Sequence, residues 1–241
     1  MDMKERNNNL QLLWLLVFGA AMGFFESSIV VYLRALYYAE GFSFPIKFVD
    51  PHIASTELLR ELASLVMIIS VALIATKNFL QRFANFLFIF AVWDIFYYVF
   101  LKLLLNWPES FFTWDILFLI PLLWTGPVIA PIIVSIVMIL FALIIRHFNR
   151  RNHYSLYLEL REWLGLLAGA FVIFVSFVWD YVAYLFNHIA GDAVTVNVLF
   201  IEIRKLTRQY VPDGFPWWLY IPGIIILLST LYMIYRRNRH T

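Results

Sequence analysis

Residues 91–102 read AVWDIFYYVFLK, and the fold turns on how that stretch is read. It lies inside an apolar run from 83 to 105, and about 20 predominantly apolar residues suffice to cross a bilayer. Yet Asp94 stands in the middle of it. Hydrocarbon is a poor medium for a carboxylate, so such a residue has either a partner or a task, and the task is the default expectation.

The rest of the chain repeats the signal. Of 241 residues, 63% are hydrophobic and 14% charged, where a soluble domain carries about 45–50% apolar and about 25% charged residues. Six spans follow, at about 10–37, 57–76, 83–105, 116–146, 163–188 and 216–235. The fold class expected is an all-α integral membrane protein, one bundle over 1–241. The N-terminal MDMKERNNNLQLLWLLVFGAAMGFF reads as a retained first helix, because its apolar run continues past signal-peptide length. The fourth span is too long for one crossing and holds Pro121, Gly126-Pro127 and Pro131, each a helix breaker. Either a short interfacial or re-entrant segment over about 114–124 precedes a true span from 128, or one long helix is kinked.

Lys4, Arg6, Lys77, Arg82, Arg146, Arg150, Arg151, Arg161, Arg236, Arg237 and Arg239 all flank the same side of a six-span topology. The positive-inside rule then puts both termini in the cytoplasm of a bacterial-type inner or plasma membrane. In the last outer loop, residues 198–210 place Leu199, Ile203, Leu206 and Tyr210 on one helical face, the pattern of a helix lying on the outer membrane surface. Trp107, Trp114, Trp217 and Trp218 fit an aromatic belt at that side. Gly165 and Gly169 form a GxxxG step suited to close helix packing.

The opening stretch has an echo in FVWDYVAYLFNH at 177–188, and a looser one in FESSIVVYLR, with Glu26, in span one. Threefold duplication of a helical hairpin, an architecture known among transporters, and convergence in an aromatic-rich chain both produce such echoes. At 1.5 Å per residue, Asp94 lies about 17 Å from the inner end of its helix, and Glu26 and Asp180 roughly 24–26 Å from theirs. Glu57, Arg60 and Glu61 enter span two from outside, and Asp115 opens the fourth segment. Glu57 and Glu61 share a helix face, with Arg60 beside Glu57. Every intramembrane charge thus falls at mid-depth or in the outer half, implying one polar pocket opening outward. Its expected members are Asp94, Glu26, Asp180, Glu61, Glu57 and Asp115 against Arg34, Arg60 and Lys102. Six acids facing three bases leave some protonated, hydrated or holding a cation.

Bland readings stand beside these. Asp94 could pair with Arg34 or Arg60 or accept from Tyr98; Glu57 suits the positive end of a helix dipole; Asp115 could cap a helix. Arg34, Lys102 and His188 could snorkel to lipid phosphates. His52 with Glu57 and Glu61 would be an unusual metal set. No histidine sits mid-span, so bis-histidine haem has no support, and the absence of cysteine removes Fe–S clusters and thiolate zinc. A net charge of +2 gives no reason to expect nucleic acid. Three functional classes remain. The leading one is proton- or cation-linked transport. The others are an enzyme acting on a lipid or lipid-linked substrate with carboxylate or metal chemistry, and an accessory subunit of a larger membrane complex. The partners expected are the bilayer, a proton, cation or lipid ligand, and either further copies of the chain or other membrane subunits.

Overall fold

The computed structural model describes residues 3–38, 40–47, 50–151, 156–189 and 196–239. Six helices are long and apolar enough to cross a membrane, consistent with a polytopic membrane protein. They are α1 (Met3–Tyr37), α2 (Pro51–Ala75), α3 (Phe79–Leu105), α4 (Ile129–Arg151), α5 (Leu160–His188) and α7 (Trp217–Arg239); a shorter α6 (Val196–Thr207) joins the last two. Local chemistry sets the boundaries. The Asp50 side chain accepts from the His52 N–H, with Pro51 at the first helical position of α2, where its missing N–H costs nothing. Asn78 caps α3 through the Gln81 N–H. At the far end of α3, Asn106 takes up φ 51, a left-handed conformation that asparagine tolerates.

The expected fourth span is corrected. Residues 114–127 are not the first half of a kinked helix, and the span starts within a residue of the expected 128. They form an antiparallel hairpin, β1 (Trp114–Phe118) and β2 (Trp124–Pro127), and the helix starts only at Ile129. Asp115 pairs with Gly126 and Ile116 with Thr125. Pro121 sits in the turn, and aromatic and β-branched residues on either side suit strands. The ladder also satisfies backbone groups, which non-helical chain near a bilayer requires.

Glycine sets how closely the helices approach. A Cβ on Gly23 would lie 2.9 Å from the Tyr97 backbone nitrogen, and one on Gly19 2.9 Å from Val92, so α1 lies tight along α3. Gly165 and Gly169 do the same for α5 against Thr230 and Leu227 of α7. One core of wholly buried side chains, including Ile68, Ile89, Ile145 and Ile234, runs through α2, α3, α4 and α7. At the end where α7 finishes, polar clasps tie the helices. Arg237 donates to Glu162 at 2.9 Å, and Arg146 to Asn85 at 3.1 Å.

The amphipathic helix is corrected in its bounds and in what its apolar face meets. Leu206 and Tyr210 are buried with Leu123, Tyr181 and Leu185 of the protein, and Ile203 packs on the same cluster. The side chain of Leu199 lies outside the described residues. An apolar stripe gains as much from a protein surface as from lipid, and the sequence pattern does not say which is opposite.

Candidate functional site

A cavity of about 660 Å³ opens at the hairpin end of the bundle, between α1, α2, α3 and β1. Its size is typical of small-molecule sites. Seven of the eight singled-out residues line it, namely Glu26 and Arg34 of α1, Glu57, Arg60 and Glu61 of α2, Asp94 of α3 and Asp115 of β1. Asp180 does not.

Each acid lining the cavity already accepts a hydrogen bond from the protein. Arg60 forms an ion pair with Glu26 across the gap between α1 and α2, and another with Glu57 at 2.8 Å on its own helix. Glu61 accepts from the Leu119 N–H at 3.1 Å, tying the hairpin turn to α2. Asp115, 3% exposed, accepts from Tyr98 at 3.2 Å and Tyr97 at 3.5 Å. Burial pushes its carboxyl up to about 6, against the nearby Arg34 charge and its own hydrogen bonds, which pull it down. Asp94, just past the midpoint of α3, accepts from Ser135 of α4 at 2.8 Å. Its partner is therefore neither Arg34, Arg60 nor Tyr98.

Arg34 differs from all of these. It is 8% exposed, and its guanidinium lies over the Trp107 ring at 3.9 Å and near Phe42 at 5.0 Å. Among the described residues its side chain donates no hydrogen bond and makes no ion pair; Asp115 feels its charge only through space. It does not snorkel outward. Lys102 instead donates to the backbone oxygens of Asn106 and Pro108 just past its own helix, and the His188 ring meets the Tyr184 oxygen.

The expected excess of acid is not supported. Lys47, Arg204 and Arg208 also line the cavity, so five acids meet five bases. Residues of segment 40–47 and of the chain around the end of α6 line the cavity and bring their cations with them, which loop sequence did not announce. Only the spacing of Arg204, Thr207 and Arg208, at the end of α6 and just past it, hinted at it. Tyr97, Trp107 and Ser135 were likewise unread as site residues; nothing in their local sequence marks convergence.

Asp180 serves elsewhere. Tyr210, wholly buried, donates to it at 2.6 Å, and the backbone N–H groups of Asp213 and Gly214 point at it from 3.4 Å. Thr125 of β2 completes the cluster at 3.0 Å from the Tyr210 oxygen. Burial and the bond to Asp180 push the Tyr210 hydroxyl well above its usual range, so it stays a donor.

The metal set is not formed. His52 is exposed at the start of α2, and among the described residues no three His, Asp or Glu side chains gather as an ion would require. Comparison with known protein families, with characterised proteins and with solved structures finds no match.

Proposed function

We propose that the protein is a membrane transporter in an outward-open state, with the cavity as its solute site and Asp94 as the group that carries the coupling proton. The observation that carries this reading is Asp94 itself. It is an acid at the middle of a spanning helix that lines the cavity and accepts from one donor among the described residues, the Ser135 hydroxyl. Acids so placed are costly and are characteristic of proton relays. With the arginine-rich ends of the helices cytoplasmic, the cavity opens outward, and the packed side chains of Ile68, Ile89 and Val92 close the way inward. Such one-sided access is what one state of an alternating-access cycle requires. A proton suits Asp94 better than a metal cation, because the neighbouring acids already have protein donors.

An enzyme acting on a lipid has less support. The hydroxyl in contact with Asp94, on Ser135, is 1% exposed and out of reach of a substrate.

The test is uptake of labelled organic acids, amines and short-chain lipids into proteoliposomes, with and without an inward proton gradient. The expected result is that a solute accumulates only with the gradient, and that Asp94→Asn abolishes accumulation while passive exchange persists. A solute that is chemically converted would point to the enzyme instead. No movement of any solute, with another membrane protein co-purifying, would point to an accessory subunit.

A further inference from the structure

The transport reading leaves open what the cavity holds, and hydrogen-bond bookkeeping inside it favours one chemistry. Glu26 and Glu57 are bound by Arg60, Glu61 by a backbone N–H, Asp115 by two tyrosines and Asp94 by a serine. The carboxylates are provided for. Arg34 is not. It is more than nine-tenths buried and lines the cavity. One face of its guanidinium is taken by Trp107, and none of its N–H donors meets an acceptor among the described residues. Its nitrogens are not sealed off but remain accessible to the cavity, and a guanidinium with one face on an aromatic ring presents its edge as a planar fork that fits an oxyanion in bidentate fashion. The stack on Trp107 fixes that fork in place before any ligand arrives. Beyond the charged groups, the wall is apolar, with Val30, Leu33 and Leu58 facing the cavity.

We infer that Arg34 is the docking point for the phosphate or carboxylate head of an anionic amphiphile, whose apolar part lies along the wall formed by α1 and α2. This names the substrate class of the proposed transport site, but binding is measurable without any transport. The head group could belong to a membrane lipid or to a soluble amphiphile, since both present the same oxyanion to the same fork.

The test uses the full chain in phosphatidylcholine nanodiscs, with affinity measured for dodecyl phosphate, dodecyltrimethylammonium and inorganic phosphate. Dodecyl phosphate is expected to bind tightest, with inorganic phosphate weaker for lack of a chain. Arg34→Gln should weaken dodecyl phosphate by about tenfold or more, as loss of a charge-assisted bidentate contact implies. Arg34→Lys, which keeps the charge but loses the fork, should fall between, and serves if the glutamine variant does not fold. Replacing part of the phosphatidylcholine with phosphatidic acid separates the sources. Competition marks a lipid head group, and unchanged affinity marks a soluble amphiphile. Equal or tighter binding of the ammonium amphiphile, or wild-type affinity in both Arg34 variants, would overturn the inference. If binding holds but no solute crosses proteoliposomes, the transport reading fails alone. If Asp94-dependent accumulation holds while Arg34 is irrelevant, this inference fails alone.

Discussion

The two Val-Trp-Asp stretches, 92–94 and 178–180, are the same in sequence and opposite in use. In the first, Trp93 is buried and Asp94 lines the cavity with one serine as its donor. In the second, Trp179 is 45% exposed beside Trp218, and Asp180 is held by Tyr210 and two backbone N–H groups. The tyrosines four residues on diverge as well. Tyr98 donates to Asp115 of the hairpin, whereas Tyr184 packs on His188 and Tyr210. Each helix is gripped by a glycine-bearing neighbour, α3 by Gly19 and Gly23 and α5 by Gly223. The role of each acid is therefore set by what lies opposite it. A cavity faces Asp94, and the 208–214 segment closes over Asp180.

The largest effect expected tests the grip itself. Gly23→Leu puts a side chain where backbone atoms of Phe96 and Tyr97 already stand within 3.0 Å of a Cβ. Moving α1 off α3 should cost about 3 kcal/mol or more and distort the cavity, read as a fall in thermal stability in detergent. A tolerated leucine would break the claim that α1 fixes the wall beside Asp94.

The next concerns Asp115, the acid that Tyr98 serves. Its folded pKa of about 6 lies above the usual 3.8, so the folded state holds the proton more tightly. Its contribution is full below about pH 4 and is lost as pH rises through about 6, on the order of 2–3 kcal/mol in all. Denaturant melts across that window should show the decline in wild type and its absence in Asp115→Asn.

The same substitution made in both stretches sharpens the comparison. In Asp180→Asn an amide would meet the Gly214 N–H or lose the charged bond to Tyr210, at a cost of about 2 kcal/mol. Asp94→Asn keeps an acceptor for Ser135 and removes a charge from mid-span, so its stability should lie within about 1 kcal/mol of wild type or above it. Equal losses at both sites would make Asp94 a structural acid, and the comparison would collapse.

Hydropathy alone made the helices legible, because spans of this length have no other stable home. Gly19 and Gly23 carried the same spacing as Gly165 and Gly169. The hairpin was not legible: WDILFLIPLLW is apolar enough to pass for a helix, and only pairing with Thr125 and Gly126 makes Trp114–Phe118 a strand. Depth along the helices placed Glu26, Arg60, Glu61 and Asp94 at mid-depth or in the outer half, but it could not separate Asp94 from Asp180, which lie on helices facing different neighbours. Nor could it foresee that Lys47, Arg204 and Arg208 balance the acids, since their positions depend on how loops fold.

The central claim is that the cavity opens on the side opposite the arginine-rich helix ends and reaches Asp94. The chain contains no cysteine, so single cysteines can be labelled against a silent background. A membrane-impermeant thiol reagent applied to intact cells should modify Asp94→Cys and leave Ile89→Cys, deeper on the same helix and wholly buried, unmodified. Labelling of Asp94→Cys only from the cytoplasmic side, or of neither position when the protein is folded, would contradict the account.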